Sequence, residues 1–240
     1  MQDLYWVSRI KPMVNITYYG HSTYMVEING KKILFDPFIT GNEATKGIIN
    51  LLEIVPDYIL LSHGHEDHVL DVEMIAKQSH CPVIATFEVA NWCNKKGIDN
   101  TIPMNIGGTI NRDGITVKMV NAIHTSSFPD GSYAGVPAGF VISWEGGCFY
   151  YSGDTALHYD MKLIAEEFDI DFAFLCLGDH FTMGVQDAIK AAGFVDTDKV
   201  IGMHFDTFPP IEIDHEKTVN SFKNAGLTLK LPNIGEIFSV

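Results

Sequence analysis

The most constraining feature of this sequence is a group of potential metal ligands at a single turn. His63, His65, Asp67 and His68 follow directly after the largely apolar run 57–61. Residues two apart in an extended chain point the same way, so His63 and His65 can share one cation. If the chain then turns, Asp67 and His68 reach a neighbouring position for a second cation. The spacing therefore predicts a fold in which a strand ends at a metal site.

Composition predicts a soluble protein of the cytoplasm with one substantial core. Of the 240 residues, 46% are hydrophobic and 19% are charged. No apolar run approaches the ~18–20 residues of a membrane span, and the first twelve residues lack a secretion signal. The cysteines show no CxxC spacing and mostly lie in apolar surroundings. We therefore expect no membrane partner and reduced core thiols at Cys81, Cys93, Cys148 and Cys176.

The charge of the chain argues against nucleic acid as a partner. Its formal net charge is -14, with 16 basic residues scattered among 30 acidic ones and no basic stripe. A phosphate backbone is bound through Lys and Arg. A small-molecule substrate is expected instead, and the oligomeric state is left open, a homo-oligomer included.

Short runs of β-branched and aromatic residues indicate many strands. The runs 23–28 and 32–35 flank Asn29-Gly30, which predicts a hairpin with a type I′ turn. Further strands are expected at 14–19, 82–87, 115–122, 138–144, 148–152, 172–177, 200–203, 227–231 and 236–240. Helices are expected at 69–78, 88–95, 161–168, 185–192 and 216–224. Strands followed by helices in both halves favour two packed sheets with helices outside.

Local details of these elements give further predictions. Helix 69–78 should direct Leu70, Met74 and Ile75 inward, and Gly193 should end helix 185–192. Without a linker or low-complexity stretch, residues 13–240 are expected to form one domain. Residues 1–12 are interpreted as an extension or a cloning remnant.

Three later residues could complete a metal site. His124, Asp154 and His204 each follow a predicted strand closely. A sheet fixes the backbone at its edge, whereas the loops beyond it leave side chains free to converge. Each residue alone is weak evidence, since such residues are commonly solvated or cap a turn. Together with the cluster at 63–68 they favour a shared site.

These residues resemble the metallo-β-lactamase superfamily from Met13 onward. The HxHxDH motif is present at 63–68, and the superfamily's later ligands map onto His124, Asp154 in SGDT and His204. Asp36 in FDP matches the aspartate that braces the metal loop. The resemblance implies an α+β fold, a four-layer αβ/βα sandwich with the site at one edge of the sheets.

A group of metal-dependent hydrolases related to ascorbate-6-phosphate lactonase is a closer match. Its marks are GHS at 20–22, FDPF at 35–38, LGD at 177–179, FTMG at 181–184 and HFDTFPP at 204–210. One departure is His180, where that group commonly has Asn, and this leaves the substrate in doubt.

The resemblance also implies the ligand sets. One ion would be held by His63, His65 and His124, and another by Asp67, His68 and His204. Asp154 would bridge the two. Seven N/O ligands without a thiolate suit two divalent cations, Zn²⁺ or Mn²⁺, with Fe²⁺ also compatible.

The predicted chemistry is hydrolysis. Two cations ~3.5–4 Å apart share a water and lower its pKa from ~16 toward ~7, giving a bridging hydroxide that attacks a carbonyl or phosphoryl centre. Asp67 is the candidate to orient the nucleophile and accept its proton. His21 is the candidate substrate contact or general acid, although it could simply brace the strand turn.

Other polar residues receive weaker assignments. Asp179, His180 and Thr182 are expected with His21 in the substrate pocket, although Thr182 could instead be the N-cap of the following helix. His80, His158 and His215 have no motif context and are interpreted as surface residues.

Alternatives differ in how well they explain these motifs. Lactamases of this fold lack the bridging aspartate, and thioesterases of the glyoxalase-II type add a C-terminal helical region. A non-catalytic metal-binding scaffold would not need all seven ligands. We therefore expect a hydrolase of a small-molecule ester, lactone or phosphoester; an amide also fits. The only arginines, Arg9 and Arg112, make a phosphorylated substrate less favoured.

Overall fold

Two seven-stranded sheets lie face to face in the computed structural model, which describes residues 13–240. The predicted extension 1–12 lies outside the described residues. In chain order the first sheet contains β1 (Asn15–Gly20), β2 (Thr23–Ile28), β3 (Lys31–Phe35), β4 (Tyr58–Leu60), β5 (Val83–Thr86), β6 (Thr101–Met104) and, from the chain's end, β14 (Ile237–Ser239). Its spatial order is β14-β1-β2-β3-β4-β5-β6.

The second sheet is built from the later half of the chain. It contains β7 (Thr109–Arg112), β8 (Ile115–Asn121), β9 (Ala138–Trp144), β10 (Gly147–Tyr151), β11 (Phe172–Cys176), β12 (Lys199–Met203) and β13 (Thr228–Lys230). Its spatial order is β13-β12-β11-β10-β9-β8-β7.

In the part of the chain that the structure describes, six α-helices connect the strands and cover the sheets. They are α1 (Glu66–Val69), α2 (Val72–Ser79), α3 (Phe87–Lys95), α4 (Met161–Glu167), α5 (Val185–Phe194) and α6 (His215–Asn224). Short 3₁₀ turns occur at Glu43–Thr45, Leu51–Glu53 and Pro209–Ile211. Within residues 13–240, none of the helices combines the length and apolar character of a membrane span.

Aromatic side chains fill the space between the two sheets. Phe35 of the first sheet stacks on Tyr151 of the second, with ring centroids 4.5 Å apart, and Tyr24 lies 4.7 Å from Phe174. Each of these rings is fully buried. Since an aromatic side chain buries 150–250 Å², this layer contributes much of the hydrophobic free energy.

Two outer helical layers complete the sandwich. Helices α2 and α3 pack on the outer face of the first sheet through Val72, Ile75 and Val89. Helices α4 to α6 lie on the second sheet, where Ala188 and Phe222 are fully buried. The predicted four-layer αβ/βα arrangement is confirmed.

Several local predictions are confirmed and others are wrong. The hairpin joins Ile28 to Lys31 through Asn29 and Gly30, both with positive φ, as a type I′ turn requires. The single helix predicted at 69–78 is wrong, because the chain breaks into α1 and α2. The Asp71 carboxylate accepts hydrogen bonds from the Ile39 and Thr40 amides at that break.

The inward face of α2 and the end of α5 also differ from expectation. Ile75 is buried, but Leu70 and Met74 are 38% and 53% exposed, because Val72 and Ala76 occupy the inward face. Gly193 does not end α5, which continues to Phe194. All four cysteines are buried thiols, as predicted.

Candidate metal centre

The strand directions bring the predicted ligands to one edge of the sandwich. Strands β1, β3 and β4 run in the same direction, as do β8, β10 and β12. Parallel strands end at the same edge of a sheet. The residues that follow these ends are His21, Asp36, His63, His124, Asp154 and His204.

All seven predicted ligands converge at this edge. Ligand atoms of three overlapping groups lie within 4.8 Å of one another: His63–His65–His124, His63–His68–Asp154 and His21–Asp67–His68–His204. We call His63, His65 and His124 the three-histidine set, and Asp67, His68 and His204 the Asp67 set. In the three-histidine set, His63 Nε2 lies 2.9 Å from His65 Nδ1.

Asp154 lies between the two sets. Its Oδ2 atom is 2.9 Å from His204 Nε2 and 3.3 Å from His68 Nε2, and 3.7 Å from His124 Nε2. The carboxylate is 2% exposed. One buried oxygen therefore contacts ligand candidates of both sets, as a bridging ligand requires.

Asp36 holds the cluster from behind through four hydrogen bonds. The amide and hydroxyl of Ser62 donate to it at 2.8 and 2.6 Å, and the Tyr151 hydroxyl donates at 2.9 Å. His68 Nδ1 donates to the same carboxylate at 2.8 Å. This hydrogen bond holds a proton on Nδ1, so Nε2 of His68 is the atom that would bind a cation.

Ser62 extends the same arrangement to His63. Because its hydroxyl proton goes to Asp36, Ser62 Oγ accepts the hydrogen bond from His63 Nδ1 at 2.9 Å. The Nε2 atom of His63 then faces the cluster with a free lone pair. Sequence reasoning assigned no role to Ser62 or Tyr151, although Ser62 directly precedes the motif.

The backbone is strained at the residues that carry the site. Asp36 has φ 43°, and His21 and His204 both have φ 55°. Such left-handed conformations are uncommon for non-glycine residues and cluster at functional sites. The His204 amide donates to the His21 carbonyl at 3.0 Å, and this hydrogen bond fixes the two strained residues relative to each other.

Electrostatics favour the ligating protonation states except at His68. Burial would lower the pKa of His68, but Asp154, Asp36 and Asp67 raise it well above its ordinary value, so a cation would replace the proton on its Nε2. Burial lowers the pKa of His63, His65 and His124, which keeps these imidazoles neutral. Burial would raise the pKa of Asp154, but His204 and His68 hold it well below its ordinary value. The pKa of Asp67 is likewise lowered, by His68 and His21 against the effect of burial. Both carboxylates are therefore ionised at neutral pH.

Unpartnered buried atoms show that this donor set fits divalent cations. His68 Nε2 and Asp154 Oδ1 are buried without a hydrogen-bond partner. Leaving such atoms unpaired costs about 1–3 kcal/mol each. Imidazole nitrogens and carboxylate oxygens are ligands of Zn²⁺, Mn²⁺ and Fe²⁺, so a cation at the centre would remove that cost for the atoms that face it.

Comparison with known proteins gives the family. A family model described as the beta-lactamase superfamily domain matches residues 15–204. The chain belongs to the metallo-β-lactamase superfamily. The UPF0173 metal-dependent hydrolase of Flavobacterium johnsoniae is 51% identical over 224 residues, which cover 93% of this chain and 98% of that protein. The protein of the same name from Christiangramia forsetii is 49% identical over 223 residues, with the same coverage.

A solved structure agrees with this membership. Igni18, described as a novel metallo hydrolase from the hyperthermophilic archaeon Ignicoccus hospitalis, superposes with a TM-score of 0.86. The two chains are 31% identical, and the match covers 95% of this chain and 99% of Igni18. The predicted superfamily and fold are confirmed, whereas the closer relation to ascorbate-6-phosphate lactonase stays a prediction.

The predicted pocket residues Asp179, His180 and Thr182 lie in a loop beside the candidate metal centre. The Met183 amide donates to the Thr155 carbonyl at 3.0 Å, next to Asp154. Asp179 and His180 line a cavity of about 820 Å³ together with parts of α5 and α6. Thr182 does not line this cavity, and it does not cap α5, since the N-cap is Gly184.

The remaining histidines are only partly where the sequence predicted them. His80 and His215 are exposed, as expected. The surface assignment of His158 is wrong, because this residue is only 8% exposed. It lines a cavity between β8 and α4. His21 is also buried, at 1% exposure. Its predicted role as substrate contact or general acid is untested, and burial disfavours direct contact with a substrate.

Proposed function

We propose that this protein is a metal-dependent hydrolase with two divalent cations at its strand edge, Zn²⁺ or Mn²⁺ with Fe²⁺ also compatible. Its bond class is an ester, lactone or phosphoester of a small molecule. The observation that carries the proposal is the position of the Asp154 carboxylate, within 3.7 Å of nitrogens from both ligand sets. The naming of its relatives as metal-dependent hydrolases supports it.

Each ligand set would hold one cation. His63, His65 and His124 would bind the first, and Asp67, His68 and His204 the second, with Asp154 shared. When bound, such cations supply Lewis-acid chemistry that lowers the pKa of water and polarises the oxygen of an electrophile.

Asp67 is the residue of this chain best placed to handle a proton. Its side chain is 26% exposed, in contrast to the buried rings of His68 and His204. An ionised, partly accessible carboxylate can orient an attacking water and accept its proton. Asp154, at 2% exposure, is too enclosed for that role and instead fixes the relative position of the two sets.

Charges in the neighbouring cavity bear on the substrate class. Its lining carries four carboxylates, Asp179, Asp187, Glu212 and Asp214, against one ammonium group, Lys217. A cavity of this balance repels anionic groups. Its lining includes none of the seven ligand candidates. For a substrate that extends into it from the metal centre, a neutral ester or lactone is favoured over a phosphorylated compound, with Asp179 and His180 as contacts to its polar part.

A hydrolase panel tests the proposal. The protein is stripped with a chelator, reloaded separately with Mn²⁺ and Zn²⁺, and assayed on carboxylic esters, lactones, phosphodiesters and thioesters. Two bound ions per chain and metal-dependent turnover of esters or lactones are expected. Turnover confined to thioesters would move the assignment to a thioesterase. Two tightly bound ions without turnover of any class would favour a scaffold.

A further inference from the structure

His21 lies inside the cluster, although the superfamily resemblance gives it no ligand role. Its side chain is fully buried, and its Nε2 atom is 3.2 Å from Asp67 Oδ2. Despite this distance, Nε2 has no hydrogen-bond partner of acceptable geometry. The two atoms are therefore close without being aimed at each other, as expected when both face a common third point.

The hydrogen bonds on the other side of the ring accommodate the tautomer that a metal ligand needs. His21 Nδ1 is 2.8 Å from Thr207 Oγ1, and the Thr207 hydroxyl donates its proton to the Phe205 carbonyl at 3.3 Å. When the hydroxyl donates in this direction, Thr207 accepts from Nδ1–H of His21, and Nε2 is the nitrogen left facing Asp67. In that tautomer the Nε2 lone pair and the Asp67 carboxylate, 3.2 Å apart, would share a cation placed between them.

The neighbouring rings indicate that such a cation would be the one held by the Asp67 set. The His21 ring centroid is 4.3 Å from that of His204 and 5.4 Å from that of His68. Ligand atoms of His21, Asp67, His68 and His204 all lie within 4.8 Å of one another. Neighbouring ligands at ~2.0–2.2 Å from one ion lie roughly 2.8–3.6 Å apart, from octahedral to tetrahedral geometry, and the His21–Asp67 separation falls within that range.

We propose that His21 is a further ligand of the cation held by Asp67, His68 and His204. This inference rests on the proposed function, since it assigns a residue to one of its two ions. With Asp154, that ion has five protein ligands, all nitrogen or oxygen. Such a set leaves room for one more ligand in an octahedral shell and so favours Mn²⁺ or Fe²⁺ over four-coordinate Zn²⁺ at this position.

The same geometry opposes the general-acid role that the sequence suggested for His21. A general acid must reach the leaving group of the substrate, but this ring is 1% exposed. A buried ligand does not need that access.

The backbone conformation allows a clean test. His21 has φ 55°, a region that Asn adopts more readily than most residues and that Gly adopts freely. His21→Asn and His21→Gly therefore remove the imidazole without forcing the chain. His158→Asn is the matched control, because His158 is also buried and belongs to none of the three ligand groups.

The readouts are ions per chain, the Kd of each ion and the visible spectrum of the Co²⁺-loaded protein. Wild type and His158→Asn should bind two ions. For His21→Asn we expect the Kd of one ion to rise by more than the ~10–100-fold typical of outer-shell changes, with a Co²⁺ spectrum of lower coordination number. Added imidazole should restore the second ion to His21→Gly. Thr207→Val should lower the affinity for that ion by about 10–100-fold.

Each contrary result has its own meaning. If His21→Asn and His21→Gly bind two ions with wild-type affinity and spectrum, His21 is not a ligand and the proposed function stands. Loss of turnover with both ions retained would return His21 to the general-acid role. If wild type itself binds fewer than two ions, the two-ion function fails, and this inference fails with it.

Discussion

The two ligand sets differ in how firmly the protein holds them. In the three-histidine set, His65 is only half-buried and its Nε2 atom is 3.4 Å from the Thr125 hydroxyl. In the Asp67 set, the rings of His68 and His204 are at most 2% exposed, and Asp36 binds His68 directly. The comparison indicates one more rigid position, whose two histidine rings are enclosed although Asp67 is 26% exposed, and one position with two partly accessible rings, His65 and His124.

This difference assigns separate tasks to the two positions. Ligands fixed by buried partners bind a cation with little reorganisation. A position with solvent access can accept the oxygen of an incoming substrate. We therefore expect the ion of the Asp67 set to bind more tightly and the ion of the three-histidine set to exchange more readily.

Removal of Asp154, the ligand shared by both sets, should abolish the difference in affinity between the two ions. Asp154→Ala deletes the carboxylate that contacts both sets, so affinity for both ions should fall. Turnover should drop on the order of 10³-fold or more, about 4 kcal/mol of transition-state stabilisation. Metal content after dialysis and kcat/KM measure the effect. Retention of one tightly bound ion would show that Asp154 serves a single set.

Asp67→Asn should separate the two sets. Asparagine keeps the size of the side chain but lacks its charge, so one ion should be lost while the three-histidine ion remains. Hydrolysis of activated esters should fall by roughly 10²–10³-fold. Metal analysis and kcat/KM at saturating metal report the outcome. Full activity with two ions would remove Asp67 from the mechanism.

Substitution of Asp36 should lower the affinity for the ion of the Asp67 set more than the affinity for the ion of the three-histidine set. In Asp36→Asn, the asparagine can adopt the positive φ of 43° found at this position. It would, however, form weaker hydrogen bonds with His68 and Ser62. The affinity for the ion of the Asp67 set should fall about 10–100-fold, and the free energy of unfolding should fall by about 2 kcal/mol. Metal titration and chemical denaturation measure the two effects. An equal loss at both positions would mean that Ser62 transmits the change fully to His63.

The smallest expected effect concerns the solvent-facing position. A Cβ atom at Gly64 would lie 2.3 Å from the Ala134 Cβ, so Gly64→Ala must displace the turn between His63 and His65. We expect about a tenfold loss, ~1.4 kcal/mol, for the three-histidine ion alone. Gly193→Ala is the control, since its Cβ meets nothing within 4 Å. It should leave both ions unchanged and stabilise α5 by up to about 1 kcal/mol.

The sequence predicted the strands where side-chain pattern and burial coincide. β9 and β10 were recognised because their β-branched and aromatic residues lie in the core. β6 and β7 were missed because β6 contains Pro103 and β7 is mostly exposed. Contacts distant in sequence explain the other errors. The break at Asp71 depends on the amides of residues 39 and 40, which no local pattern reveals.

The site could be predicted only in outline. The spacing of His63, His65 and His68 marked the cluster, and the superfamily resemblance supplied its distant members. The contact between His21 and Thr207 spans 186 positions and follows only from the pairing of strand ends. His158 had no motif to mark it, and its burial between β8 and α4 is set by tertiary packing.

Each ligand set draws on both sheets, and this has a thermodynamic consequence. His124 and His204 follow strands of the second sheet, whereas their partners in each set follow β4 of the first. Cations at both positions would tie the two halves of the chain together only in the native state. Melting temperature should then rise with free metal concentration, by the equivalent of about 2.7 kcal/mol at a hundredfold excess over Kd for each site. Chelators would act on this protein as mild denaturants.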